Sequence, residues 1–246
     1  MSESPPARRF APGDPVPWFA APTHGTPVFQ FGAAAGRRVL LCFPGSASRP
    51  ESLRIREELQ ALRGAFDDER LCFFGVSLDP ADFGPDGPAE QIPGIRWFRD
   101  ADGAISRQYG ALREEAGVLH VYPFSLLLDE RLRVLAVLAL GTAEGHIRRL
   151  VELAQTVPLP LLPEAAARQA PVLMVPRVFE PGFCARLIEY YRATGSEDSG
   201  FMRDQDGKTV GVYDHGMKRR RDCTIEDEAL RQQCMLRIHR RLVPEI

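Results

Sequence analysis

Apolar and polar positions in the first 157 residues switch repeatedly between the period of a strand and that of a helix. Val28–Phe31 and Arg38–Phe43 are short apolar runs on either side of a glycine-containing turn, Gly32–Gly36, and read as strands. From about Pro50, Leu53, Leu59, Leu62 and Phe66 recur at helical spacing and predict a helix with one buried face. Leu71–Ser77 is almost continuously apolar, as expected of a strand covered on both sides. A loop rich in Gly and Pro (Phe83–Gly94) leads to a strand at Ile95–Phe98. Asp100-Ala101-Asp102-Gly103 then turns into a short helix through Tyr109. Phe124–Leu128 and Val134–Leu138 read as strands joined by a tight charged turn, and a last helix runs from Ala143 to about Thr156. Strands alternating with helices give an α/β layout.

The pattern breaks at Val157-Pro-Leu-Pro-Leu-Leu-Pro163, where prolines are too dense for a helix or a central strand. The predicted organisation is therefore a disordered lead-in over 1–12, an α/β domain over 13–157, a Pro-rich linker over 158–171 and a smaller α+β segment over 172–246. In that segment Val172–Val175 reads as a strand. A helix opens at Phe179-Glu180-Pro181 with Phe183, Leu187, Ile188 and Tyr191 on one face, and Gly195 stops it. Phe201–Arg203 and Thr209–Val212 make a hairpin turned by Asp206-Gly207. A final helix begins at Thr224, which forms a capping-box pattern with Asp227, and carries the stripe Leu230, Cys234, Ile238, Leu242.

Composition narrows the function classes. With 246 residues the chain can bury a sizeable core, and 31 basic against 33 acidic residues leave a formal charge of -2, so the whole molecule is no polyanion binder. No apolar stretch is long enough to span a bilayer, and the amino terminus lacks the apolar segment of a signal peptide. Membrane association is not expected. Five cysteines, Cys42, Cys72, Cys184, Cys223 and Cys234, are widely spaced with no Cys-x-x-Cys, which reads as a reduced, cytoplasmic protein without a zinc knuckle. Lys218–Arg221 with Arg237, Arg240 and Arg241 forms a basic patch. No aromatic side chains interleave it, so ion pairs with Glu226, Asp227 and Glu228 are the expectation rather than nucleic acid.

Gly13-Asp14-x-x-Pro17-x-Phe19, Gly36-Arg37-Arg38-Val39-Leu40-Leu41-x-Phe43-x-Gly45, Gly75-Val76-Ser77-x-Asp79 and Asp100-x-x-Gly103 with Tyr109-Gly110 follow one another in order. Together they resemble the peroxiredoxins, so residues 13–157 are expected to take the peroxiredoxin version of the thioredoxin-like fold. That family reads Pro-x-x-x-Thr-x-x-Cys at its peroxide-reducing site. Here Pro44 is in place, Ser48 stands for the threonine, and Glu51 occupies the position of the nucleophilic cysteine. A carboxylate cannot cycle through a sulfenic acid. The resemblance also calls for an arginine six residues before Asp129, where this chain has Pro123. A proline there is what thioredoxin-type relatives carry, commonly after a cis bond.

The second segment resembles the opening of the iron(II)/2-oxoglutarate dioxygenases of the prolyl-hydroxylase type. The resemblance rests on Val175-Pro176-x-Val178-Phe179-x-Pro181-x-Phe183-Cys184-x-x-Leu187-Ile188 and Gly211-Val212-x-Asp214-His215-x-x-Lys218-Arg219-Arg220-x-Asp222. It implies a facial triad of His-x-Asp/Glu and a distant His, with a basic residue for the co-substrate. The histidines are His24, His120, His146, His215 and His239, and no His-x-Asp or His-x-Glu occurs. No metal site and no cofactor are expected in this chain; iron(II) and 2-oxoglutarate would require a catalytic barrel beyond residue 246. The expectation is a truncated, inactive dioxygenase fragment behind a peroxiredoxin-like accessory domain.

That accessory domain would dock a protein or small molecule in the groove beside Pro44, Ser48, Glu51 and Pro123. Two alternatives stand beside it: a non-enzymatic scaffold on a thioredoxin fold, and a divergent thiol peroxidase using Cys42 or Cys72. His120 and an Asp214–His215 metal pair are secondary candidates.

Overall fold

The computed structural model describes residues 10–46, 48–85, 87–141, 145–157, 173–205, 207–213, 215–216 and 219–246. The elements of the first unit run in chain order as β1 (Ala20–Ala21), β2 (Phe29–Gln30), β3 (Arg38–Gly45), α1 (Pro50–Ala61), β4 (Leu71–Ser77), β5 (Ile95–Arg99), α2 (Ala104–Tyr109), β6 (Leu112–Glu115), β7 (Val118–Val121), β8 (Phe124–Leu128), β9 (Val134–Ala139) and α3 (His146–Thr156). The chain divides after Val172 into two units, and each is described by itself.

A five-stranded sheet of order β5-β4-β3-β8-β9 organises the first unit. Strand β3 runs parallel to β4 and antiparallel to β8, so it lies in the middle and is buried along its whole length. Alternation then sorts the side chains by parity. Val39, Leu41 and Phe43 join Phe74, Val76, Phe98, Leu126 and Leu128 on one face, closed by Phe31 and by Ile105 and Tyr109 of α2. Leu40 and Cys42 join Phe73, Ile95, Trp97 and Leu127 on the other, closed by Ile55 and Leu59 of α1 and Ile147 and Leu150 of α3.

Helices α1 and α3 are fastened to each other by one carboxylate. Glu58 of α1 accepts the amides of Gly145, His146, Ile147 and Arg148 at 2.8–3.2 Å, which satisfies the amino-terminal N–H groups of α3. Asp100 does the same for α2, accepting from Ile105 and Ser106. Several sequence expectations shift. Leu59 and Phe66 are buried as expected, but Leu53 is 45% exposed, and α1 buries Ser52 and Ile55 beside Leu59. The β6–β7 hairpin is an addition. Among the described residues the cis peptide bond is Ile92–Pro93, not Tyr122–Pro123. The amino-terminal residues up to 9, the segment 158–171 and the start of the last predicted helix at Ala143 lie outside the described residues. Among the described residues no helix is long and apolar enough to cross a membrane.

The second unit comprises α4 (Pro181–Thr194), β10 (Glu197–Asp198), β11 (Phe201–Gln205), β12 (Lys208–Val212), β13 (Arg221–Asp222) and α5 (Glu228–Arg241). Its hairpin β11–β12 and the stop at Gly195 follow the sequence reading. Leu173–Val175 form no strand, and the last helix is capped by Asp227, whose carboxylate accepts from Leu230 N at 3.0 Å, not by Thr224. The expected apolar faces are thin: Phe183 and Leu230 are buried, while Ile188 and Tyr191 are 50% and 41% exposed.

A charged clasp does much of the joining instead. Glu180 accepts from Arg237 and, at 2.7 Å, from Arg241, whose guanidinium also donates to Val178 O at 2.8 Å. Arg237 lies 3.8 Å over the Phe183 ring. These hydrogen bonds hold the Glu180 carboxyl down at about 2, against an ordinary 4.5. A carboxyl depressed in the folded state contributes stability that is complete above its ordinary pKa and disappears as pH falls through the folded one. Hydrogen-exchange protection of α4 and α5 is therefore expected to hold down to about pH 4.5 and to collapse toward pH 2. In Glu180→Gln it should already be low at neutral pH and lose that dependence; full protection in the variant would refute the clasp.

Candidate functional site

The end of β3 and the start of α1 meet at the amino-terminal edge of the first helix. Gly45 adopts a positive φ of 86°, and a Cβ there would stand 2.9 Å from Val121 Cγ1, so the turn that aims the next residues needs glycine. Ser46 Oγ donates to Asp79 Oδ2 at 2.9 Å and lies 2.8 Å from Ser48 Oγ. The proton order along this chain follows from the carboxylate: Asp79 only accepts, so Ser46 donates to it and Ser48 donates to Ser46. Asp79 is held in turn by the amide of Ala81 at 2.9 Å, and its own amide donates to Ser77 Oγ at 3.2 Å. The buried Ser77 hydroxyl donates to Asp82.

Glu51 is the second residue of α1, after Pro50, where a carboxylate suits the helix dipole. Its Oε2 has no hydrogen-bond partner and faces Arg49 Nε at 3.7 Å. That pair is partly exposed, so its worth is small, roughly 0–1 kcal/mol. Pro123 precedes β8, and continuing the Phe43–Phe124 pairing by one residue sets it opposite Pro44. The fold thus brings Pro44, Ser48, Glu51 and Pro123 to one end of the central strands. Sequence reasoning missed the Ser46–Asp79 link, although Asp79 stood in the Gly75-Val76-Ser77-x-Asp79 motif.

The thiols are elsewhere. Cys42 is fully buried in β3, beneath α1 and α3; desolvation pushes its pKa up to about 12, and a hydrogen bond with Ser125 opposes this only in part. Ser125 Oγ lies 2.9 Å from His146 Nε2, which ties this polar pair into the core. Burial likewise pushes Cys72 up to about 12. At pH 7 such thiols are ionised to roughly one part in 10⁵, which removes both as nucleophiles. His120 projects from β7, exposed and opposite Arg113.

In the second unit His215 Nε2 lies 3.8 Å from Asp198 Oδ2, with both side chains exposed; Asp214 and Lys218 lie outside the described residues. No group of three or more His, Cys, Asp or Glu that could hold a metal occurs among the described residues. Four arginines of the basic patch have partners within the unit: Arg220 pairs with Asp222, Arg221 donates to Ser196, and Arg237 and Arg241 pair with Glu180. Among the described residues the expected partners Glu226 and Asp227 form no ion pair, and Glu228 pairs with Arg231.

No protein-family model matches the chain, and no curated protein matches it in sequence. Solved structures do resemble it. A cysteine-to-serine variant of PrxQ from Xylella fastidiosa superposes with a TM-score of 0.53 at 15% identity, over 61% of this chain and 98% of that one. A cysteine-to-serine variant of peroxiredoxin Q from Xanthomonas campestris superposes with a TM-score of 0.51 at 20% identity, over 58% and 98%. Identities this low bear on architecture alone, and the five-stranded unit accordingly has the peroxiredoxin version of the thioredoxin-like fold.

Proposed function

We propose that the first unit is an accessory binding module of an oxidoreductase that has left thiol peroxidase chemistry behind. The observation that carries this reading is the state of its two thiols: Cys42 and Cys72 are buried, each with a pKa near 12, while the nucleophile's position holds Glu51. The groove beside Pro44, Ser48, Glu51 and Pro123 then offers hydroxyls and a carboxylate to a protein or small-molecule partner. The Ser48–Ser46–Asp79 chain supports that role, because it fixes exposed Ser48 without consuming its acceptor capacity.

The second unit we read as the opening portion of a dioxygenase of the iron(II)/2-oxoglutarate type. Exposed Ile188, Tyr191, Met235 and Leu236 on α4 and α5 support it, since a further layer of structure would cover them. Its described residues do not fit the metal: His215 and Asp198 supply two exposed donors and no third. Iron and 2-oxoglutarate would belong to a barrel outside these residues.

The test is peroxide consumption with dithiothreitol as reductant. The chain is expected to match the buffer blank, and Cys42→Ser and Cys72→Ser to change nothing. Turnover lost in either variant would establish the divergent peroxidase instead. The same preparation, given iron(II), 2-oxoglutarate and oxygen, should release no succinate; release would put an iron site within this chain and end the reading of its second unit.

A further inference from the structure

Parallel neighbours β4 and β5 require a crossover connection, usually a helix laid on the sheet. Here the crossover spans Leu78–Gly94, and its only helix among the described residues is the 3-10 turn Pro80–Phe83. The rest is a loop of Gly and Pro, so the outer flank of α1 lacks a helical neighbour. What remains is a cleft of about 700 Å³ between α1 and the loop. Leu53, Ala61 and Ala89 give it exposed apolar surface, and Ile95, Trp97 and Leu59, each at most 3% exposed, are buried directly beneath. The volume falls within the range of small-molecule sites, which combine apolar walls with a few polar groups. It shares no lining residue with the end of the strands that carries Pro44, Ser48, Glu51 and Pro123.

Two charged groups in this cleft, Arg56 and Glu57, are uncommitted among the described residues. Arg56 is half-buried on α1 and has no hydrogen-bond or ion-pair partner among the described residues. The neighbouring polar groups are otherwise engaged or of opposite sign: Gln91 Nε2 donates to Gln60 Oε1 at 3.1 Å, and Glu57 lies at the same cleft. The one cation lining the cleft, beside exposed apolar surface, matches a ligand with one carboxylate and a hydrophobic body. The Glu57 charge disfavours a second anionic group. We propose that this cleft binds small amphipathic monocarboxylates, with the carboxylate on Arg56 and the body against Leu53 and Ala89, above Trp97 and Ile95.

The chain has two tryptophans, and Trp18 is 72% exposed, so Trp18→Phe leaves Trp97, buried directly beneath the cleft, as the reporter. In that background 3-phenylpropionate is expected to change the emission saturably. The neutral 3-phenylpropanamide, with the same body, should bind about tenfold more weakly. Arg56→Gln should bring acid and amide to equal affinity, and Arg56→Lys should keep part of the preference. The proposal is overturned if no saturable change appears up to about 10 mM, if acid and amide bind alike to the native arginine, or if the preference survives Arg56→Gln.

Discussion

Replacing Glu51 with cysteine is expected to create a reactive thiolate in a unit that has none. Position 51 is the second residue of a twelve-residue helix, where the helix dipole favours an anion. The guanidinium of Arg49 comes within 3.7 Å of the present carboxylate. Both effects lower a thiol pKa, and the site is partly open to solvent, whereas Cys42 and Cys72 are buried and near 12. Iodoacetamide should therefore alkylate residue 51 at least about a hundredfold faster than either native thiol of the unit at pH 7. Peptide mapping by mass spectrometry keeps the count separate from Cys184, Cys223 and Cys234. Brief hydrogen peroxide followed by dimedone should trap a sulfenic acid at the same residue. Catalytic turnover should stay poor, because Pro123 occupies the place that the resemblance gives to an arginine. Equal labelling of positions 42, 51 and 72 would mean that the frame around Glu51 does not activate a nucleophile.

Much of this architecture was legible because burial on two faces leaves a strong mark. Leu71–Ser77 reads as a strand to the residue, and β8 and β9 emerge from apolar runs with a charged turn between them. The β6–β7 hairpin was hidden for the opposite reason. Arg113, Glu114 and Glu115 face Val118, Leu119 and His120 across an arm that is largely exposed, so no alternation marks it. Its turn uses Ala116 and Gly117, both at positive φ, where an Asn-Gly pair would have announced it. The second unit misled in a different way. Leu187, Ile188 and Tyr191 have helical spacing, yet a Glu180–Arg237–Arg241 clasp does the joining, and charge pairs separated by some 60 residues leave no periodic signal. The candidate site divides along the same line. The positions of Pro44, Ser48 and Glu51 follow from local order, while the Ser46–Asp79 contact depends on how β3 and β4 register. Arg56 looks like any solvated helix cation until the missing crossover helix is seen beside it.

Gly75→Ala carries that last point into energetics and is expected to be a strongly damaging single-methyl change in the first unit. Gly75 pairs with Trp97 in the β4–β5 register, and the indole lies across it. A Cβ at position 75 would meet Trp97 Cε3 at 2.2 Å and Cζ3 at 2.3 Å, distances no real Cβ tolerates. Alanine by itself would favour the strand by roughly 0.5–1 kcal/mol through the unfolded chain. Overpacking of a fixed aromatic costs about 1–3 kcal/mol and sometimes more, so the steric effect wins. Backbone relief is restricted because β4 is hydrogen-bonded on both sides. The easier escape is for the indole to swing into the cleft under Arg56, which would expose the largest buried side chain of the unit. Both tryptophans belong to this unit, so their fluorescence follows its unfolding without interference from residues 173–246. A net loss of about 2 kcal/mol corresponds to a fall of roughly 4–8 °C in Tm for a unit of this size. The emission of the folded variant should also shift to the red, and the cleft should lose 3-phenylpropionate binding, since the ring fills the space the ligand would take. A variant as stable as the parent, with unshifted emission, would show that Trp97 does not depend on the missing side chain at 75.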